Sequence, residues 1–175
     1  MKSNNERIRL LTLTGMLTAL TTVATIVIQI PTPTKGYVNL GDTVVNLSAW
    51  ILGGVYGGAV GGIGSALADI ITGYAVYAPA TLIIKFLMAF VCFKVYNVCQ
   101  KKLNSLVSRI VSVIISEVIM IVGYAIFAGI LYGSVKTALL GIPENAVQGI
   151  MGATFSVILY ECIIKRVPVL KKRLN

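Results

Sequence analysis

The stretch DTVVNLSAWILGGVYGGAVGGIGSALAD, residues 42–69, decides how many times this chain crosses a membrane. An aspartate bounds it at each end, and glycines crowd it at positions 53, 54, 57, 58, 61, 62 and 64. It reads as one long helix or as two short ones folded at GGVYGG (53–58). Charge parity decides. Lys2, Arg7 and Arg9 precede the first apolar run, Lys101, Lys102 and Arg109 flank a central connection, and Lys165, Arg166, Lys171, Lys172 and Arg173 end the sequence. Basic clusters on alternate loops mark the cytoplasmic side of a membrane protein. Two helices in 42–69 place all three clusters on that side, whereas one helix sets the two ends of the chain on opposite faces. The expectation is an all-α, polytopic bundle of six transmembrane helices with both termini cytoplasmic, built as a single domain over residues 1–175. The second and third helices are then each shorter than a full span and need shielding by their neighbours.

Composition supports a membrane location. Of 175 residues, 57% are hydrophobic and only 12% charged, with a mean hydropathy of +0.88, more apolar surface than a soluble domain of this length can hide. The net charge of +9 sits in the three loop clusters, which speaks for topology and against nucleic acid. There is no histidine, and Cys92, Cys99 and Cys162 form no C-x-x-C, so zinc and His-based catalysis lack support and the cysteines read as small apolar fillers. The uncharged run Leu10–Ile30 is longer than a signal-peptide core and lacks an A-x-A site, which predicts a retained first helix over 8–30. PTPTKG (31–36) ends it, since proline cannot continue the helical ladder. Further helices are predicted over 80–100, 107–132 and 143–165, the last with Pro143 in its first turn.

Within this topology the polar residues gather in the outer half. Asp69 falls near the external end of the third helix, Lys85 at similar depth in the fourth, and Asp42 at the external start of the second. Asn145 and Gln148 belong to the first external turns of the sixth. Glu117 lies mid-way along the fifth, and Tyr124, seven residues on, shares its face. Above them run GYVNLGD (36–42, with Asn39), GYAVYAP (73–79, with Tyr77) and GSVKTALLGIPEN (133–145). The inner half shows few such groups. Ionisable residues inside a membrane are costly and mark functional sites, so the asymmetry predicts a cavity open to the outside and sealed below. Alternatively, Asp69 and Lys85 form a buried pair that fixes the third helix against the fourth. Donors, acceptors, both charge signs and tyrosines suit a small polar aromatic heterocycle. Lys85 would meet an anionic or hydroxyl group, and Asp69 or Glu117 a ring N–H. The carboxylates are too few and scattered for a cation cage, and no cofactor is expected.

The glycine pairs 54/58, 58/62, 53/57 and 57/61 have G-x-x-x-G spacing, which lets helices approach closely inside the bundle. Gly15 and Ala19 form a similar flat stripe on the first helix, for internal packing or for docking another protein. No phosphate-binding loop is present: in GSVKT (133–137) Val135 stands where the second glycine is required. Nor is there an obvious inverted repeat of the kind secondary transporters carry. A non-enzymatic binding subunit driven by partner proteins fits these absences. The alternative is a self-sufficient ion- or proton-coupled transporter with Asp69 and Glu117 titrating. A membrane enzyme has the weakest case, without histidine or a nucleophile–base pair.

GYVNLGD followed by GGVYGGAVGGIGSALADIITGYAVYAPATLIIK resembles the signature region of substrate-binding S components of energy-coupling-factor (ECF) vitamin transporters. The riboflavin-transporter-like group, with its pyridoxine and hydroxymethylpyrimidine members, is the branch it is most similar to. The likeness is specific over about residues 36–90, and the six-helix layout extends it over nearly the whole chain. It implies capture of a vitamin from outside, a lid between the first two helices, and docking on a transmembrane coupling protein (T component) joined to two ATPase subunits. It also implies that the small-residue stripe of the first helix makes that contact, with Gly15 and Ala19 standing where such proteins carry two alanines. With one tryptophan and no dense aromatic box, a pyridoxine- or hydroxymethylpyrimidine-like ligand is favoured, and riboflavin is the alternative.

Overall fold

The computed structural model describes residues 4–32 and 36–167; Lys2, Pro33, Lys171, Lys172 and Arg173 lie outside the described residues. Among these it has six α-helices: α1 (Asn4–Val27), α2 (Gly41–Leu52), α3 (Gly54–Ile71), α4 (Ala78–Cys99), α5 (Ser105–Tyr132) and α6 (Val135–Cys162). Five are long and apolar enough to cross a membrane, and α2 is not. Its 12 residues reach only about 18 Å at ~1.5 Å per residue. Shielding makes up for the missing length: Gly41–Ile51 are buried throughout, because α2 is surrounded by α1, α3, α4 and α6. The third helix, expected to be short, is an 18-residue span.

The break that the glycine-rich stretch was expected to hold falls at Gly53, where φ is +91°, a backbone conformation that a side chain disfavours. From there α3 packs on three sides through glycine. A Cβ on Gly57 would lie 2.8 Å from the Ala49 backbone of α2, one on Gly62 2.6 Å from the Leu82 carbonyl of α4, and one on Gly64 2.8 Å from the Thr18 carbonyl of α1. The G-x-x-x-G spacings thus serve close packing inside the bundle. On the outside, Ile114, Val118, Val122, Ile126 and Ile130 recur every four residues along α5 and stay exposed, a surface suited to lipid.

Two boundaries differ from expectation. α1 stops at Val27, and Ile30–Pro31 then pairs antiparallel with Tyr37–Val38 as a short β1–β2 hairpin. α6 begins at Val135, so Pro143 lies inside the helix rather than in its first turn. The start is set by Ser134, whose hydroxyl accepts from the Thr137 N–H at 3.3 Å. Transmembrane helices tolerate such an interior proline where neighbours serve the freed backbone.

Successive helices alternate in direction. Thr21 of α1 meets Gly64 of α3, Asp42 of α2 meets Gln148 of α6, and Ser116 of α5 meets Met88 of α4. The starts of α1 and α5, the Gly53 turn and the ends of α4 and α6 therefore share one end of the bundle. The hairpin, the 72–77 connection and the α5–α6 turn share the other.

Candidate functional site

A cavity of about 690 Å³, its open mouth included, lies at the hairpin end. Seven of the nine side chains expected to form a site line it: Asn39, Asp69, Tyr77, Lys85, Tyr124, Asn145 and Gln148. They come from the hairpin segment, α3, α4, α5, α6 and the 72–77 connection, and the alternation of helix direction brings them to one level. Asn145 and Gln148 reach it from the third and fourth turns of α6, since that helix starts eight residues earlier than expected.

Asp42 and Glu117 lie beneath the lining. Asp42 is wholly buried and forms an ion pair with Lys85, itself only 2% exposed. The Asp69–Lys85 pair, the alternative to a ligand site, is therefore not formed. The short, central α2 inserts its own aspartate against α4, where Lys85 reaches it. Gln148 Nε2 donates to the other Asp42 oxygen at 2.6 Å, and Gln148 Oε1 accepts from the Asn39 backbone N–H and side-chain amide, both at 3.0 Å. One chain of bonds thus ties α4, α2, α6 and the hairpin segment together. Deeper still, Glu117 Oε1 accepts from Asn46 Nδ2 at 2.7 Å, and Ser116 donates to Asn46 Oδ1 at 2.8 Å.

Asp69 is engaged from above. The Tyr37 hydroxyl donates to its Oδ1. Burial, and then the nearby Asp69 carboxylate, push the Tyr37 phenol well above its ordinary pKa, so it remains a donor. Tyr77 is pushed up too, by burial first and then by its bond to Tyr132, the hydroxyls lying 2.9 Å apart. The rings form a tilted cluster at the mouth: Tyr37–Tyr74 centroids are 4.7 Å apart, Tyr74–Tyr77 6.5 Å and Tyr77–Phe127 5.4 Å. Within, the Lys85 ammonium sits 5.4 Å from the Tyr124 ring centroid, a cation–π contact, and Tyr124 donates to Thr81 Oγ1 at 3.0 Å. Thr32 of the loop also bonds Glu144 of α6 at 2.9 Å.

Ser65, Tyr37 and Thr81 line the cavity and were not anticipated. A sequence signal existed for Ser65, which precedes Asp69 by four residues and so shares its helix face. Tyr37 stood inside the GYVNLGD stretch, but nothing local tied it to α3.

The opposite end is less bare than expected. Arg109, expected to flank a connection, is 4% exposed inside the bundle. Its guanidinium donates to Glu161 at 2.6 Å and to the Tyr96 hydroxyl at 3.1 Å, and stacks 3.7 Å from the Tyr160 ring centroid. Between the two ends, Trp50 Nε1 donates to Ser112 at 3.2 Å. Buried polar groups therefore occur along the length of the bundle, bonded to one another and packed among Met88, Val113 and Met120. The asymmetry between the ends lies in the cavity more than in polarity.

Gly15 and Ala19 are exposed on α1, and nothing lies within 4 Å of a Cβ placed on Gly15, so this stripe is not used for internal packing.

Comparison with known proteins agrees with this architecture. The family model described as ECF-type riboflavin transporter, S component, matches residues 5–165. An uncharacterized protein in the gap 3′ region of Pyrococcus woesei is 35% identical over 113 residues, 64% of this chain and 73% of that protein. A solved structure titled "Structure and mechanism of the S component of a bacterial ECF transporter" superposes with a TM-score of 0.69 at 22% identity, covering 91% of this chain and 97% of that one. Its likeness shows the shared fold. A match of the family model over most of the chain, on a multi-pass membrane bundle of this fold, is the stronger finding: the chain belongs to the family of ECF-type riboflavin transporter S components, membrane-embedded transport subunits that are not enzymes.

Proposed function

We propose that this chain captures a vitamin or related small aromatic heterocycle in the hairpin-end cavity, for ATP-driven uptake by partner subunits. The observation that carries the reading is the cavity itself, which combines both charge signs, amide groups and a tyrosine cluster at one end of a lipid-facing bundle. Asn39, Asp69, Tyr77, Lys85, Tyr124, Asn145 and Gln148 contact the ligand. Asp42 and Glu117 act from below, Asp42 by holding Lys85. An ammonium has three donors, so Lys85 can serve Asp42 and the ligand together.

Orientation follows from charge. Arg7 on α1, Lys101 and Lys102 in the α4–α5 turn and Lys165 after α6 sit at the end away from the cavity. The positive-inside rule makes that end cytoplasmic, with both termini, and the cavity external. The outward stripe at Gly15 and Ala19 is where a transmembrane coupling protein, joined to two ATPases, would dock. The family description names riboflavin. The tilted tyrosines, spaced as edge contacts rather than a stacked box, favour a smaller ring such as pyridoxine or hydroxymethylpyrimidine.

The test is mass spectrometry of whatever co-purifies with the full chain, followed by titration with pyridoxine, hydroxymethylpyrimidine and riboflavin. Sub-micromolar binding of one of them, without transport by the isolated chain in liposomes, is expected. Proton-driven uptake by the isolated chain would overturn the reading.

A further inference from the structure

Ser65 and Asp69 lie four residues apart on α3, hence one turn apart on one face. They are 2% and 3% exposed, and both line the cavity. Each keeps one buried atom without a hydrogen-bond partner, Ser65 Oγ and Asp69 Oδ2. Among the described residues only Thr43, Arg109 and Glu117 share that condition, and none of those lines the cavity. Folded proteins rarely leave such atoms unpaired, and each one asks for an explanation.

The surroundings do not supply one. The other Asp69 oxygen is taken by Tyr37, and the Lys85 ammonium is bound to Asp42. The Thr81 hydroxyl also interacts with the Asp69 carboxylate, but Oδ2 itself keeps no hydrogen-bond partner.

We propose that Ser65 and Asp69 together read one edge of the substrate, a hydrogen-bond donor adjacent to an acceptor, as on an aminopyrimidine or a pyrimidinedione ring. An ionised carboxylate only accepts, so Asp69 Oδ2 takes an N–H of the ligand. The Ser65 hydroxyl has a proton to give and donates it to the neighbouring ring nitrogen or carbonyl. Tyr37 is a positioning residue: it holds the carboxylate from the hairpin segment and so links ligand capture to the seating of that segment. The inference rests on the cavity being the substrate site, and it narrows the substrate class toward a pyrimidine-type edge over a pyridine alcohol.

The experiment is calorimetric titration of the purified full chain in detergent. Its probes are hydroxymethylpyrimidine (4-amino-5-hydroxymethyl-2-methylpyrimidine) and its 4-dimethylamino analogue, riboflavin and its N3-methyl analogue, and pyridoxine. Asp69→Asn is expected to weaken the parent compound roughly ten- to hundredfold, and Ser65→Ala about three- to tenfold. The methylated analogue, already weak, should change by less than about twofold in either variant. Tyr37→Phe should weaken the parent and keep its preference over the analogue. Melting curves check folding, and Ser65→Ala carries the test if Asp69→Asn fails to fold. Equal affinity of parent and analogue for the unmodified chain, or equal losses for both in the variants, would overturn the proposal. Binding of pyridoxine alone overturns it and leaves the capture reading standing, whereas binding of no probe overturns both.

Discussion

Replacing Lys85 by methionine tests what the buried ion pair does. Methionine keeps the length and apolar stem of lysine and removes its charge, leaving Asp42, which is 0% exposed, without its cation. Breaking a buried pair from one side costs about 3–5 kcal/mol, because the remaining charge stays uncompensated. For a chain of this size about 1 kcal/mol corresponds to ~2–4 °C, so Lys85→Met should melt roughly 6–20 °C lower in detergent. Asp42→Asn should be similarly damaging, since it strands the ammonium. The double variant, Asp42→Asn with Lys85→Met, buries no charge, and the new amide still accepts from Gln148 through its oxygen. It should recover at least half of the summed single losses, a coupling of about 3 kcal/mol or more in a double-mutant cycle. Differential scanning fluorimetry of the four proteins is the assay, with ligand titration on the double variant. A double variant as unstable as the sum of the singles would refute the argument, because the pair would then not be the reason for either loss. A stable double variant that has also lost ligand binding would assign Lys85 a second role at the cavity wall.

Packing and docking give further expectations. Gly62→Ala would bring a Cβ to 2.6 Å from the Leu82 carbonyl, which no side-chain rotation relieves, and should cost roughly 1–3 kcal/mol in a melting experiment, whereas Gly15→Ala, with nothing nearby, should not lower the melting temperature and should raise it slightly. Ala19→Leu should retain ligand affinity in detergent yet abolish uptake in cells that carry the coupling module; normal uptake would make the stripe ordinary lipid-facing surface. Because burial and then Asp69 raise the Tyr37 pKa, the folded chain holds that proton after the unfolded chain has lost it. The Tyr37 contribution is therefore constant below about pH 10 and declines above it, so Tyr37→Phe should flatten the alkaline loss of stability.

The helices and their glycine faces were legible because they rest on local chemistry. Hydropathy runs mark the spans, and the 54/58/62 spacing marks a face that close neighbours must occupy. The fold point was legible only as the stretch 53–58, and the structure sets it at Gly53. The level of Asp69 and Lys85 also followed from counting residues inward from the ends of their helices. Their bonding partners did not follow. Asp42, from a different helix, satisfies Lys85, and Tyr37, 32 residues upstream, takes Asp69. Arg109 looked like a loop charge from its neighbours in sequence, but Glu161, 52 residues away, draws it inside.

By itself the sequence determined the number of helices, their small-residue faces and the shared level of most of the polar residues that line the cavity. Each depends on spacing along one helix or on the length of one apolar run. Only the tertiary structure decided which carboxylate neutralises Lys85, which buried atoms are left for a ligand, and whether Gly15 and Ala19 face the bundle or its surroundings. Spacing tells which residues share a face. The rotation and register that bring faces from distant helices together are set by the packing of all six at once.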